Sequence, residues 1–264
     1  GGDNLLIRLE FDEASSIATI WLNRPAKLNA LSQEMLEELD QALQSVENKA
    51  LNEVRLLFVK SSCERAFSVG ADIRDWNRYN VSESYFASQY GTRVFGRLAS
   101  LKIPTVAVLH KWVLGGGFEL ALACDLRLAT EDTIFGFPEA SLGNAPGWAG
   151  LSRLVPLVGV SKAKEMVFTG QHYTADEAYQ MGIINVVGDA ETIQEEEKQL
   201  IQTITKNAPI PLMLSKRLID EMANNTTLFS FIESLEAGLH AGTNDHRRGK
   251  DAFFNKSTPT FVGD

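Results

Sequence analysis

Apolar residues come in short unbroken runs through the first half of the chain and in helical stripes through the second. Ile17–Leu22 (IATIWL), Val54–Val59 (VRLLFV) and Pro104–Leu109 (PTVAVL) read as buried strands, because a strand covered on both faces shows a continuous run rather than alternation. Leu126–Ala129 and Thr133–Phe137 read as shorter extended pieces. Asn23-Arg24-Pro25 ends the first strand. Ser32 is placed to cap a helix with Leu36, Leu39, Leu43 and Val46 on one face. After about Ser161 the pattern becomes mostly helical, over Lys162–Phe168, Ala175–Met181, Ile193–Lys206, Pro211–Asn224 and Leu228–His240. Strands alternating with helices predict an α/β chain. No repeat, low-complexity tract or flexible linker divides it, so the expectation is one folded core with a C-terminal helical extension.

Composition narrows the function classes. The 264 residues suffice for a large buried core, and 44% hydrophobic with 22% charged residues is ordinary for a globular protein. A net charge of -9 argues against sequence-independent nucleic-acid binding, which needs Lys and Arg to neutralise phosphates. A local positive site for an anionic ligand is compatible with that balance. Cys63 and Cys124 have no CxxC spacing and read as reduced thiols. No apolar run approaches the roughly 20 residues of a membrane span, and Gly1-Gly2-Asp3 starts no basic-then-apolar signal segment. The expectation is a cytoplasmic or organelle-matrix protein that engages neither membrane nor nucleic acid.

Two glycine turns carry the candidate chemistry. Ala66-Phe67-Ser68-Val69-Gly70-Ala71-Asp72-Ile73 follows the VRLLFV strand, and Gly115-Gly116-Gly117 follows PTVAVL and leads into a helix-forming Phe118–Cys124 (FELALAC). Glycines before a helix let a ligand reach the backbone, and the helix start offers unpaired N–H groups and a positive dipole end. Such a turn can hold an anion, or an oxygen that becomes anionic during reaction; it can equally be a tight turn with no ligand. Glu119, in the first helical turn, is favourable for the dipole alone. Glu139 follows twenty residues later and precedes Gly143, Pro146, Gly147 and Gly150. Two carboxylates converging there could divide acid and base roles. There is no G-x-S-x-G, P-loop or G-x-G-x-x-G, and His110, His172, His240 and His246 lack metal-ligand spacing, so no metal is expected. His110 reads as a supporting or packing residue. The sequons at Asn80, Asn225 and Asn255 carry no argument.

Asn23-Arg24-Pro25-Ala26-Lys27-Leu28-Asn29-Ala30-Leu31, the Ala66–Ile73 turn, Gly115-Gly116-Gly117-Phe118-Glu119-Leu120-Ala121 and Phe135-Gly136-Phe137-Pro138-Glu139, in that order, resemble the crotonase superfamily, with the enoyl-CoA hydratase/isomerase branch the nearest match. The likeness continues through Phe168-Thr169-Gly170, Ala175-Asp176-Glu177-Ala178 and Met181-Gly182-Ile183-Ile184. It implies a spiral of ββα turns over residues 1–190, and a C-terminal helical trimerisation region over 191–264 that forms a homotrimer or a dimer of trimers. It implies an oxyanion hole from the Ala71 and Gly116 N–H groups, facing the carbonyl of an acyl-CoA thioester. Asn29-Ala30 and Ala71-Asp72-Ile73 would border the adenine and pantetheine path. Lys27 would approach the CoA phosphates, and Lys256 would contact CoA, acting across a subunit boundary. Glu119 would be base on the attacking water and Glu139 proton donor to the α-carbon, with the Gly147 N–H placing the water. No cofactor is implied beyond coenzyme A as part of the substrate.

Hydration of a 2-enoyl-CoA is the activity the glutamate pair favours. A Δ3,Δ2-enoyl-CoA isomerase or another enolate-forming enzyme is a second reading, and a non-catalytic acyl-CoA-binding trimer a third. The chain departs from the family at His110-Lys111, where Asn-Gly is usual, and at Trp148 and Ala149, which replace smaller, glycine-rich residues. Trp148 reads either as packing against its loop or as a wall shaping the acyl pocket.

Overall fold

The apolar runs assemble into two sheets. The larger is ordered β1 (Ile7–Asp12), β2 (Ile17–Leu22), β3 (Leu56–Ser61), β5 (Thr105–Leu109), β7 (Leu126–Thr130) and β10 (Val186–Gly188). β1 and β2 pair antiparallel, with Ile7 opposite Leu22, and every later neighbour is parallel. The smaller sheet is β4 (Ala66–Ser68), β6 (Trp112–Leu114), β8 (Ile134–Gly136) and β9 (Tyr173–Thr174), parallel except for β9. Three strand pairs, β3 with β4, β5 with β6 and β7 with β8, each give one strand to each sheet. Helices return the chain between pairs, as parallel neighbours require. The computed structural model describes residues 5–142, 144–222 and 241–264; Gly143, His240 and the helix expected over Leu228–His240 lie outside them.

The helices are α1 (Gln33–Glu47), α2 (Ile73–Arg78), α3 (Val81–Ala99), α4 (Gly116–Leu122), α5 (Gly150–Val158), α6 (Val160–Thr169), α7 (Ala175–Gln180), α8 (Ala190–Lys206), α9 (Pro209–Met222) and a C-terminal helix, Asn244–Asn255. Ser32 caps α1, its Oγ accepting from Met35 N at 3.2 Å, and Leu36, Leu39, Leu43 and Val46 are buried as the periodicity predicts. β3 explains why its run is continuous. Leu57 and Val59 enter the main core with Leu36, Leu39 and Phe95, while Leu56 and Phe58 pack on the other face with Ile17, Val106, Leu128 and Ile193 of α8. Both sides of the sheet are covered.

Several boundaries differ from the pattern. β3 begins at Leu56 rather than Val54, because the Val54 N–H turns back to Ala50 O and the Arg55 N–H donates to Ser16 O. The connector before the glycine triplet is β6. β9 and β10 fall inside the stretch read as mostly helical, and β10 adds an edge to the larger sheet. α3, the longest described helix at 19 residues, was not foreseen. Asn80 caps it reciprocally with Glu83: Glu83 N donates to Asn80 Oδ1 at 2.8 Å, and Asn80 N donates to Glu83 Oε1. Among the described residues no helix is long and apolar enough to cross a membrane.

Candidate active site

Parallel pairing of β4, β6 and β8 lines up their C-terminal ends, so the three turns that follow them meet. The turn after β4 is pinned by Leu31 N donating to Gly70 O at 2.7 Å and Asp72 N donating to Leu31 O at 3.1 Å. These bonds straddle Ala71, whose own N–H donates to no backbone carbonyl among the described residues. The turn after β6 is Gly115, at φ +54° and ψ −123°, a conformation side chains resist. Its N–H donates to Gly136 O at 2.9 Å, which ties it to β8. Gly116 begins α4, so its N–H has no carbonyl one turn back to receive it. A Cβ built on Gly116 would lie 3.4 Å from Ala71 N, so the two free N–H groups are neighbours. The pair expected from sequence is brought together.

Glu119 lies one turn further along α4 and is only 2% exposed. Its Oε2 accepts from Trp148 N at 2.9 Å and Gly150 N at 2.8 Å, so it fastens the loop that enters α5. Burial raises its pKa above the ordinary carboxylate value, while the Gly150, Trp148 and Gly147 N–H groups and the Arg153 charge oppose that rise. Glu139 opens a short 3₁₀ turn, Glu139–Leu142, after β8. It is buried, and its Oε2 has no hydrogen-bond partner among the described residues. Its Oε1 lies over the other glycine, 2.6 Å from where a Gly115 Cβ would stand. Burial pushes its pKa up to about 7, against the pull of its own backbone N–H and with a further push from the charge of Glu119. The carboxylates therefore flank one glycine turn and feel each other. This arrangement can hold a polarised oxygen at two N–H groups and move protons on either side of it.

The Enoyl-CoA hydratase/isomerase family profile matches residues 12–264. The chain belongs to that family. It is 35% identical to the short-chain-enoyl-CoA hydratase of Clostridium acetobutylicum over 247 residues, covering 93% of this chain and 94% of that protein. It is 32% identical to the crotonyl-CoA hydratase of Syntrophomonas wolfei, covering 98% of each. The crystal structure of an enoyl-CoA hydratase from Bacillus anthracis superposes with a TM-score of 0.91 at 30% identity, over 98% of this chain and all of that one. The α/β spiral expected of the crotonase superfamily is the fold observed, and the enzyme class follows from the family.

Within this family member the remaining expected residues fall into distinct groups. The Asn29 side chain is committed to the fold: Nδ2 donates to Ser61 Oγ and Phe67 O, and Oδ1 accepts from Arg24 N. Ala30 O accepts from Arg24, which also bridges to Asp72 at 2.8 Å, so Arg24 joins the two segments expected to border the ligand path. Ile73 is 53% exposed at the start of α2. Lys27 and Lys256 are exposed, and their ammonium groups make no ion pair among the described residues; Lys256 lies beyond the C-terminal helix. His110 has the supporting role expected, its Nε2 sitting 2.7 Å from Cys63 O, and Cys63 and Cys124 are buried free thiols. Gly147 O accepts from the Ser88 and Thr92 hydroxyls of α3. Trp148 is buried edge-on to Phe95, and Ala149 adopts a left-handed φ of +64° before α5.

Sequence reasoning missed Ser88, Thr92 and Arg153. Arg153 is half-buried on α5 with Nη1 lacking a partner among the described residues, and its charge opposes the rise in the Glu119 pKa. A lone arginine among Leu151, Leu154 and Val155 was the available signal. The hydroxyls of α3 had none, since that helix was itself unread.

Proposed function

We propose that the protein is an enoyl-CoA hydratase, adding water across the 2,3 double bond of an enoyl-CoA thioester. The observation that carries this is the pair of buried glutamates flanking a turn whose free N–H neighbours that of Ala71. The thioester oxygen accepts from Ala71 and Gly116. Glu119, as carboxylate, takes a proton from water as its oxygen bonds to C3. Negative charge then builds on the thioester oxygen, where one such donor is worth about 2.7–4 kcal/mol in a related chemistry. Glu139, whose pKa of about 7 keeps it partly protonated at neutral pH, delivers a proton to C2. The Gly147 N–H helps place the water. Lys27, Ala30, Asp72 and Ile73 border the coenzyme A path, with the fully buried Asn29 holding that segment in place rather than meeting the ligand, and Trp148 borders the acyl group. Lys256 reaches coenzyme A from a neighbouring subunit of a trimer or dimer of trimers built on residues 191–264. No cofactor is needed. The relatives named as short-chain-enoyl-CoA and crotonyl-CoA hydratases support this reading.

Isomerisation of a 3-enoyl-CoA is the second reading, favoured by the unpartnered Glu139 Oε2, since one carboxylate can carry a proton from C2 to C4 without water. Loss of the enoyl absorbance of crotonyl-CoA tests the proposal. Wild type should turn it over, and Glu119→Gln should not. A wild type inert on short, medium and branched enoyl-CoAs sinks hydration. Isomerisation that survives Glu119→Gln but not Glu139→Gln selects the second reading.

A further inference from the structure

We infer that Trp148 closes the acyl end of the site, restricting the enzyme to short-chain enoyl-CoA; this rests on the hydratase reading of the two glutamates. The indole is wedged between bare backbone on two elements. A Cβ on Gly91 of α3 would lie 2.2 Å from its Nε1, and a Cβ on Gly116 of α4 would lie 2.3 Å from its Cζ3. Each distance is below any real contact, so the ring spans the space from α3 to the oxyanion-side glycine and both glycines are required to admit it. Phe95, fully buried, backs the ring edge-to-face at 5.4 Å between centroids. The Trp148 N–H holds Glu119 Oε2, and the preceding Gly147 carbonyl is held by Ser88 and Thr92. The wall is thus anchored to the catalytic carboxylate on one side and to α3 on the other.

An acyl group with its carbonyl oxygen at Gly116 and its double bond between the glutamates has the indole beside it. A close-packed interior offers no void into which a buried ring can retreat. Lengthening the acyl group from four to eight carbons would tighten binding by roughly 200-fold in an open apolar channel, from the burial of four methylenes. A closed channel forfeits that gain and adds the displacement of the ring.

Calorimetric titration with the saturated thioesters butyryl-CoA, octanoyl-CoA and dodecanoyl-CoA tests the wall without requiring turnover. Wild type should bind butyryl-CoA at least about ten-fold more tightly than octanoyl-CoA. Trp148→Ala should reverse that order, and Trp148→Phe should narrow it. Wild type binding octanoyl-CoA as tightly as butyryl-CoA overturns the proposal, whatever the variants do. So does an unchanged length preference in folded Trp148→Phe, which keeps the test open if Trp148→Ala fails to fold. A length cut-off in binding with no hydration of crotonyl-CoA would sink the hydratase reading and leave the wall standing. Failure to bind any of the three overturns both.

Discussion

Glu119 stands on α4 with Oε2 fastened to the Trp148 and Gly150 N–H groups, whereas Glu139 stands on a 3₁₀ turn with Oε2 buried and unpartnered. Both are glutamates, both are buried, and both have pKa values raised by burial. The difference lies in what the surrounding backbone offers. Donors favour the ionised form and oppose desolvation, so Glu119 is suited to accept a proton and at the same time holds a loop in place. Glu139 has only its own backbone N–H to oppose desolvation, and the charge of Glu119 adds to the rise, so it keeps its proton to higher pH and is suited to give one. The proposed acid and base are distinguished by their neighbours alone.

The comparison can be broken most forcefully at Glu139. Replacing it with Gln should lower hydration kcat by about 10³-fold, within the range of general acid–base catalysis, with no loss of thermal stability. A large fall in Tm would mean Glu139 is structural, like Glu119. At Glu119 the larger consequence for stability is expected. Glu119→Ala strands two buried N–H donors, at about 1–3 kcal/mol each, so urea unfolding should show a loss near 4 kcal/mol. Glu139→Ala should cost markedly less, and equal losses would erase the distinction. The smallest effect is the linkage to pH. Glu139 rises from an ordinary 4.5 to about 7, so the folded state binds this proton more tightly than the unfolded chain. Its contribution to stability is complete below about pH 4.5 and is lost as pH rises through about 7, by about 3 kcal/mol at 1.36 kcal/mol per unit. The stability difference between wild type and Glu139→Gln, followed from pH 4 to 8, isolates that slope from the similar one of Glu119. A flat difference would place Glu139 in a wetter site than its burial implies.

Much of the architecture could be read from local pattern. β2 has the predicted limits, and Ser32 caps α1 as its chemistry suggests, because a buried run and an N-cap are properties of adjacent residues. The start of α3 is marked only by its capping box, Asn80 with Glu83. Its buried residues, Gly91, Val94, Phe95 and Leu98, cluster in its second half, behind an exposed first half that offers no stripe. β4, β6 and β9, at two or three residues each, are too short to establish a period. Both glutamates and both glycine turns could be named from the sequence. Ser88 and Thr92 could not, because the Gly147 carbonyl they hold is distant in the chain, and Arg153 showed only as a charge in an apolar stretch, its partner Glu119 being equally distant.

By itself the sequence determined which groups would be available: two glycine turns, two glutamates, and a tryptophan directly after Gly147. Their order along the chain, set by the alternation of strands and helices, was enough to name the family. The tertiary structure decided what those groups are. Parallel pairing of β4, β6 and β8 made the turns neighbours, and the described residues of the loop before α5 delivered donors to Glu119 and none to Glu139 Oε2. Hydrogen-bond partners and desolvation come from residues far away in sequence, so the protonation preferences of two identical side chains were settled only when the chain folded around them.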